Sequence, residues 1–459
     1  MSAVKNFFRD CFCDRPGGMF TRQELVKLII PLILEQLLAC TIGIADTVMV
    51  STAGDAAVSG VSLVDSINAL LIQVFAALAS GGAVITSQYL GRGDKKNATS
   101  SAMQLLWSSL LIAILIGGLS IAFNRWILRL IFGQVEDAVM KNSVIYFYLT
   151  AASYPFLAVF NSCAALFRSM NNSRVSLFTS VIMNLVNIAG NAILIYGLKI
   201  GVAGAGTATL LSRIVGSVIM IILLCRGTHE LDMSRIYRLE PNFRILKQVL
   251  RIGIPNGLEG GMFQVGKLLV QRLVSSFGTA AIAANAITGT MANFACVPGN
   301  AVSLAMVTVI GRCVGAGEYG QARHYTRRLL AFVHEMMLVI CIALALLTGP
   351  IITLFRVSAD AGSQAYEILM LYYLFSVLIW PESFTLPNSL RAAGDARFTM
   401  CVSIFSMWTT RIGASYLFCR VFHLGLLGVW LAMFLDWIVR AFCFIVRFAR
   451  GHWTKIKSI

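Results

Sequence analysis

Twelve apolar stretches, each long enough to cross a lipid bilayer, divide the chain along its whole length. A membrane-spanning helix needs about 20 apolar residues, whereas a strand of a membrane barrel needs about ten that alternate in polarity. The stretches are long and do not alternate, so they predict helices. Their approximate bounds are 25–50, 59–87, 101–123, 143–167, 175–197, 202–225, 249–276, 280–311, 328–355, 366–390, 398–420 and 425–447.

The composition indicates that the solvent of this chain is lipid. Hydrophobic residues make up 58% of the sequence and charged residues 13%, against about 25% charged residues in soluble domains. The net charge of +16 would suggest nucleic-acid binding in a soluble protein. Here the basic residues lie mostly in short segments between apolar stretches, where they set topology and face anionic lipid. We therefore expect an all-α membrane protein that does not bind nucleic acid.

The distribution of Lys and Arg predicts the orientation. With the N-terminus inside, the inner segments hold roughly four times as many Lys and Arg as the outer ones, as the positive-inside rule requires. Both termini are then cytoplasmic in a multi-pass protein of the cell membrane. The predicted organisation is a cytoplasmic N-terminus (1–24), an N-lobe of six helices (25–225), a cytoplasmic linker (226–247), a C-lobe of six helices (248–447) and a cytoplasmic C-terminus (448–459).

The two halves repeat each other. Adding 224 to a residue number in the first half gives its counterpart in the second, without a gap from residue 31 to residue 98. Six helices is an even number, so the halves should run in the same direction about a pseudo-twofold axis along the membrane normal. This predicts two bundles that can rock about a cavity. The pairs 224 residues apart include Pro31 and Pro255, Glu35 and Glu259, Gly54 and Gly278, Gly93 and Gly317, and Gly201 and Gly425. Further along, Arg168 aligns with Arg391, 223 residues away.

Several segments match a known family in order, spacing and duplication. They are PLILEQ and IADTVMV in the first helix, SQYLGRGDKKNA after the second, ALFRSMNNSR after the fourth, NIAGNAILIYG in the fifth, VGAGEYGQA in the eighth and LRAAGDAR after the tenth. Over nearly its whole length the chain resembles the multidrug and toxic compound extrusion (MATE) transporters. The resemblance implies a secondary active efflux transporter with no cofactor beyond a coupling ion, H⁺ or Na⁺.

Acidic side chains inside a bilayer cost several kcal/mol when charged and unpaired, so they are candidates for function. The resemblance places Asp46 at the first-helix aspartate that binds the coupling cation in MATE proteins. It also places Asn187 and Asn191, four residues apart on one helix face, at the partners of that aspartate. Related proteins of the DinF group often carry Asp where this chain has Asn191. Glu35 lies three helical turns before Asp46 on the same face.

The sequence does not decide whether the coupling ion is H⁺ or Na⁺. Burial disfavours the charged form of a carboxyl group, so Asp46 could accept a proton near neutral pH. One carboxylate with amide and hydroxyl oxygens also suits a hard cation, so Asp46 is a possible Na⁺ ligand with Thr47 beside it. A third interpretation is that Asp46, Asn187 and Asn191 only hydrogen-bond between helices.

The second half supplies candidates for the substrate cavity. The resemblance to the NorM group implies acidic residues in the seventh and tenth helices, where this chain has Glu259 and Glu382. Gln264 lies nearer the position of the seventh-helix acid, so that match is by helix only. Pro381 and Pro387 should bend the tenth helix and expose backbone carbonyls.

Other charged residues offer alternative partners for these candidates. Glu259 and Glu382 could instead form structural pairs with Arg411 or Lys267, which are also inside the membrane. In the first half Asp65 has Asn68 one turn away and can face the cavity. An ordinary ion pair with Arg440 explains why Asp436 lies inside the membrane. The predicted cavity residues are therefore Glu259, Glu382, Gln264, Arg411 and Asp65, and their acids favour cationic, amphipathic substrates.

Other functions fit the sequence less well. The glycine-containing SQYLGRGD and IGRCVGAGE lack the GxxxxGK[ST] of a phosphate-binding loop, and no nucleophile–base arrangement indicates an enzyme. Two alternatives of the same superfamily remain, a flippase for lipid-linked precursors and a narrow-specificity metabolite exporter. We expect a monomer whose partners are the bilayer and a small-molecule substrate.

Overall fold

The computed structural model describes residues 17–52, 54–133, 135–226, 230–233 and 240–456, and within them it is helical without strands. This confirms the all-α prediction. The side chains of Ile42, Ile44, Ala45, Thr47 and Ser51 lie outside this description. The α-helices are α1 (Arg22–Ser51), α2 (Asp55–Gly91), α3 (Lys95–Ala122), α4 (Asn124–Phe132), α5 (Asp137–Ala152), α6 (Tyr154–Ser169), α7 (Ser173–Asn191), α8 (Gly201–Arg226), α9 (Phe243–Ser275), α10 (Thr279–Ala295), α11 (Val297–Gly315), α12 (Tyr319–Leu354), α13 (Ala359–Leu378), α14 (Leu386–Ala392), α15 (Ala396–Ser406), α16 (Ala414–Arg420) and α17 (Gly425–Ala449).

Three π-helical segments continue or join these helices. They are Ala192–Gly197 after α7, Pro381–Thr385 before α14 and Met407–Gly413 between α15 and α16. With the breaks joined, the helices group into the twelve predicted segments, six in each half of the described chain. The first-half segments are α1, α2, α3, α5 with α6, α7 and α8; the second-half segments are α9, α10 with α11, α12, α13 with α14, α15 with α16, and α17.

Seven of the described helices are long and apolar enough to cross a membrane on their own. The number of spans rises to as many as nine if each of two bent helix pairs counts as one span. The pair α5 and α6 bends by 45°, and the segment from α13 to Ala392 bends by 59°. The second bend lies at Pro381, as predicted, because proline removes a backbone donor and its ring clashes with the preceding turn.

The described backbone repeats in detail. Six pairs of residues with positive φ recur 223 or 224 positions apart, including Gly54 (98°) with Gly278 (93°) and Gly93 (78°) with Gly317 (80°). Lys199 and His423 share a φ of 54° although neither is glycine. Side chains rarely adopt this conformation, so the turn geometry, rather than the residue type, is what the two halves preserve.

The chain forms two compact units. The N-lobe unit is Ile30–Gly257, and the C-lobe unit is Met1–Ile29 with Leu258–Ile459. The N-terminal part of α1, up to Ile29, thus belongs to the C-lobe unit and the rest of α1 to the N-lobe unit. The N-terminal part of α9, up to Gly257, belongs to the N-lobe unit and the rest of α9 to the C-lobe unit. Both changes of unit fall beside the matched prolines Pro31 and Pro255. The predicted boundaries at 225 and 248 stay a prediction.

Asp94 caps the N-terminus of α3. Its Oδ2 accepts a hydrogen bond from Asn97 Nδ2 at 2.6 Å and its Oδ1 accepts one from the Asn97 backbone N–H at 3.1 Å. These bonds, the side-chain one first, hold the pKa of Asp94 below its ordinary value. The matched residue Glu318 precedes α12 without a side-chain cap.

We expect Asp94→Ala to destabilise the protein by about 1 kcal/mol, the usual effect of losing an N-cap, and Glu318→Ala to have a smaller effect. Thermal unfolding in detergent measures both. The contribution of Asp94 should be complete above its ordinary pKa and lost as the pH falls through the lowered value. Equal losses in the two variants would contradict the capping role.

Candidate functional site

Asp46, Asn191 and Asn187 form one hydrogen-bonded cluster in the N-lobe unit. Asn191 Nδ2 donates to Asp46 Oδ1 at 2.9 Å and lies 3.3 Å from Asn187 Oδ1. Asn187 Nδ2 donates to Thr209 Oγ1 at 3.4 Å. The cluster joins α1, α7 and α8, because the spacing of four residues puts both amides on the face of α7 that meets Asp46. The structure thus brings together the three residues on which the sequence-based prediction was centred.

One acceptor in this cluster stays open. Asn191 is 2% exposed, and its Oδ1 is a buried oxygen without a hydrogen-bond partner among the described residues. A buried acceptor without a partner is costly. Beside a carboxylate, such an oxygen can accept a bond from a protonated Asp46 or bind a hard cation. Thr47 belongs to α1, but its side chain is not described, so its role as a ligand stays a prediction.

Asp65 forms a second polar group in the same unit. Its Oδ1 accepts from Asn68 Nδ2 at 3.1 Å, and the side chain of Tyr146 also hydrogen-bonds to it. Asn68 in turn accepts a bond of 2.7 Å from the Tyr154 hydroxyl. These buried tyrosines and Asn68 hold Asp65 on α2 in a fixed position.

Arg213 links the two acidic groups. It interacts electrostatically with both Asp46 and Asp65, and its Nη1 donates to Ser153 Oγ at 2.6 Å. The network therefore holds two acids against one cation. Sequence reasoning missed Arg213, although its place inside the apolar stretch 202–225 is a signal, because an intramembrane cation is as costly as an intramembrane acid.

Glu35 lies outside the Asp46 cluster. Its two carboxylate oxygens accept bonds of 3.0 and 2.9 Å from Ser176 Oγ, and it interacts electrostatically with Arg168. Ser176 and Asn191 belong to opposite ends of α7, about 22 Å apart at the helical rise per residue. Sharing a face of α1 does not bring Glu35 to Asp46.

Glu259 repeats this arrangement in the C-lobe unit. Both of its carboxylate oxygens lie 2.7 Å from Arg391 Nη2, and Arg440 Nη2 lies 3.3 Å from Oε1. Glu259 matches Glu35 in the repeat, and Arg391 matches Arg168. The partner is thus a matched arginine rather than Arg411 or Lys267. Glu259 is thus neutralised by arginines of its own unit, whereas Glu35 is hydrogen-bonded by Ser176 and interacts with Arg168 electrostatically.

Glu259→Gln should destabilise the protein by about 3 kcal/mol, because it leaves the charges of Arg391 and Arg440 without a carboxylate. Thermal unfolding of the purified protein in detergent measures this. Glu35→Gln, whose carboxylate is more exposed, is the matched control and should cost less. An unchanged melting temperature with altered substrate preference would instead assign Glu259 to the cavity.

Glu382 pairs with a histidine. Its Oε1 lies 2.7 Å from His334 Nε2, and His334 Nδ1 lies 2.6 Å from the carbonyl oxygen of Val377. A carbonyl only accepts, so Nδ1 carries a proton and donates it to Val377. Nε2 and Oε1 can then bond only with a proton between them, on either atom. Glu382 Oε2 is buried without a described partner. Sequence reasoning missed this pair, because His334 and Glu382 lie 48 residues apart in the chain.

Lys267 and Arg411 lie over one aromatic ring. Arg411 Cζ is 5.2 Å and Lys267 Nζ is 5.8 Å from the centre of the Phe263 ring. The carboxylate of Asp436 lies 3.9 Å from Arg411 Nη1 and 4.0 Å from Arg440 Nη1, and Ser406 donates to it. Gln264 follows Phe263 on α9 and is half-buried.

The described π-helical segments coincide with these candidates. Ala192–Gly197 directly follows Asn191, Pro381–Thr385 contains Glu382 and Met407–Gly413 contains Arg411. Such widened turns occur frequently at functional sites. Only the segment at Pro381 has a sequence signal, its two prolines.

Intramembrane charges on discontinuous helices, within two repeated lobes, define a class of protein. They are the features of a secondary transporter built from internal repeats. The described residues contain no group of three or more His, Cys, Asp or Glu side chains that could hold a metal ion. The fold and the site therefore define a multi-pass membrane transporter.

The chain belongs to the MatE family, whose model matches residues 31–193 and again 255–417. The second match begins 224 residues after the first, at 255 rather than 31, which confirms the spacing of the repeat. The resemblance to MATE transporters is likewise confirmed.

Two curated relatives and a solved structure cover almost the whole chain. The Uncharacterized transporter YisQ of Bacillus subtilis is 26% identical over 94% of this chain and 95% of its own length. The Probable multidrug resistance protein NorM of Thermotoga maritima is 26% identical over 95% and 93%. A structure described as the outward-facing conformation of a multidrug resistance MATE family transporter of the MOP superfamily has a TM-score of 0.88 at 20% identity, covering 95% of this chain and 96% of that chain. These likenesses support a drug efflux transporter with the two-lobe fold.

Proposed function

We propose that this protein is a secondary active exporter of small amphipathic compounds that carry a cationic group, working by antiport with H⁺ or Na⁺ through alternating access. The observation that carries the proposal is the Asp46 cluster, in which a carboxylate meets a buried amide oxygen without a partner. In this proposal the protein acts as a monomer in the cell membrane with both termini in the cytoplasm.

The acidic network around Asp46 supplies a way to exchange an ion for a cationic substrate. An ion that reaches Asp46 removes the negative charge, so a cationic compound binds less tightly to the network of Asp46, Asp65 and Arg213. The conformational equilibrium shifts because the two states then differ in their affinity for the ion. A membrane potential adds about 2.3 kcal/mol per charge per 100 mV.

Protonation of Asp46 needs little rearrangement of its partner. The charged carboxylate accepts from Asn191 Nδ2. Once protonated, Asp46 becomes a donor, and the open Asn191 Oδ1 on the same amide is an acceptor within the cluster. Na⁺ would instead bind between the carboxylate and this oxygen.

The pair of His334 and Glu382 favours H⁺ as the coupling ion. Its geometry requires one proton between Nε2 and Oε1, so the C-lobe unit already holds a proton on groups able to exchange it. Fixed by the Val377 carbonyl, the imidazole keeps that geometry while the proton moves. Na⁺ coupling remains the alternative that the experiments below separate.

Asp46→Asn should abolish drug resistance in cells that express the transporter, because the amide can neither bind a proton nor carry a charge. Survival on a toxic cationic dye measures it. Asn191→Ala should weaken resistance less, since it keeps the carboxylate. Resistance equal to wild type in cells with normal amounts of the Asp46→Asn protein would contradict the proposal.

His334→Gln and Glu382→Gln should each lose the dependence of export on external pH while binding the dye as wild type does. Either change breaks the bond that holds the shared proton. Export from cells across a series of external pH values, with dye binding in detergent, separates the two effects. The control is Glu335→Gln, at the exposed next position of α12. A pH profile unchanged by His334→Gln would refute the role of the pair.

A flippase for lipid-linked precursors is the second candidate. The cations Lys267 and Arg411 favour it, because such substrates carry phosphates. Export of a soluble dye by the purified transporter would decide for the exporter.

A further inference from the structure

The C-lobe unit holds more cations than acids inside its bundle. Among the described residues of this bundle, three arginines contact the two carboxylates of Glu259 and Asp436, and Lys267 lies over the same ring as Arg411. Glu259 is occupied by Arg391 and Arg440. The four basic residues are Lys267, Arg391, Arg411 and Arg440.

Asp436 offsets at most one of the remaining charges. It lies at 3.9 Å from Arg411 and 4.0 Å from Arg440, beyond hydrogen-bond distance for either guanidinium. Its Oδ2 and the Nε and Nη1 of Arg440 are buried without described hydrogen-bond partners. The polar groups around Asp436 are therefore left incompletely satisfied.

Lys267 and Arg411 carry the surplus and lie around the same aromatic ring. Both lie within 6 Å of the centre of the Phe263 ring and interact repulsively. Arg411 is 12% exposed at its side chain, while Lys267 is exposed, so a ligand can reach the pair. Two like charges held together inside a bundle are unfavourable unless a third group compensates them.

The compensating group that fits is an acidic one. A guanidinium forms two parallel bonds with a carboxylate or phosphate, and an ammonium adds a point charge. Phe263 packs edge-on against Phe384, with their ring centres 6.4 Å apart. This contact makes Phe263 part of an aromatic cluster, so the two cations lie beside apolar side chains.

We propose that Lys267 and Arg411, beside Phe263, bind the carboxylate or phosphate of the exported compound. This rests on the proposed export function and extends it, because the substrate then carries an acidic group as well as a cationic one. Two intramembrane acids of the C-lobe unit are already occupied, Glu259 by arginines and Glu382 by His334.

Binding to the purified protein tests this without transport. The probes are a rhodamine with a free carboxylate and its methyl ester, followed by fluorescence polarisation in detergent. Lys267→Gln and Arg411→Gln should each weaken binding of the acid about tenfold, the loss of one charge-assisted contact, and leave the ester within about twofold. Arg272→Gln, at an exposed position near the end of α9, should change neither. Arg411→Lys should restore part of the affinity for the acid.

The controls separate misfolding from a wrong proposal. Retained ester binding shows that a variant is folded. Equal weakening of both dyes, or wild-type protein that does not bind the acid, would overturn the assignment. Binding of a short-chain phosphatidic acid at Lys267 and Arg411 without binding of the acid dye would make the site a lipid headgroup site and also overturn it.

Export by the same variants distinguishes this inference from the proposed function. Export of the ester by wild type without Lys267-dependent binding of the acid would leave the exporter intact and refute the acidic subsite. Lys267-dependent binding of the acid without export of either dye would keep the subsite and refute the exporter.

Discussion

Lipid offers no water to satisfy a charge or a backbone polar group, so this protein must satisfy them within itself. Glu259 meets this requirement with Arg391 at 2.7 Å, and the matched Glu35 meets it with the Ser176 hydroxyl and the electrostatic interaction of Arg168. Among the described residues, the exceptions that involve candidate site residues include the open oxygen of Asn191, the free oxygens of Glu382 and Asp436, and the cations Lys267 and Arg411 around one ring. We expect function at the polar groups that only a bound ligand can satisfy.

The two units share a fold but differ in charge. The N-lobe unit sets Asp46 and Asp65 against Arg213, an excess of acid. The C-lobe unit has an excess of base and one carboxylate, Glu382, that shares a proton with His334. Duplication therefore preserved the turns and the Glu–Arg pairs, while the side chains suited to transport diverged. In the proposed function, Asp46 and the His334–Glu382 pair exchange the ion, while Lys267 and Arg411 bind the acidic group of the substrate.

The sequence predicted most of the fold and part of the site. Apolar stretches and the 224-residue repeat gave the twelve helical segments, because hydrophobic length and duplication are local signals. The cluster of Asp46 with Asn187 and Asn191 was predictable from spacing and family resemblance. The roles of Arg213 and His334 were not predicted, nor were the partners of Glu35 and Glu259, because these contacts join helices far apart in sequence. The π-helical turns at Asn191 and Arg411 have no residue signature.

The central claim is that an ion gradient drives export. The most direct measurement reconstitutes the wild-type protein in liposomes with equal concentrations of a fluorescent amphipathic dye on both sides and imposes a proton gradient or a sodium gradient separately. We expect dye to accumulate on one side, against its own gradient, when a proton gradient is imposed, and the accumulation to stop when this gradient is dissipated. Dye movement that is the same with and without either gradient would contradict secondary active export.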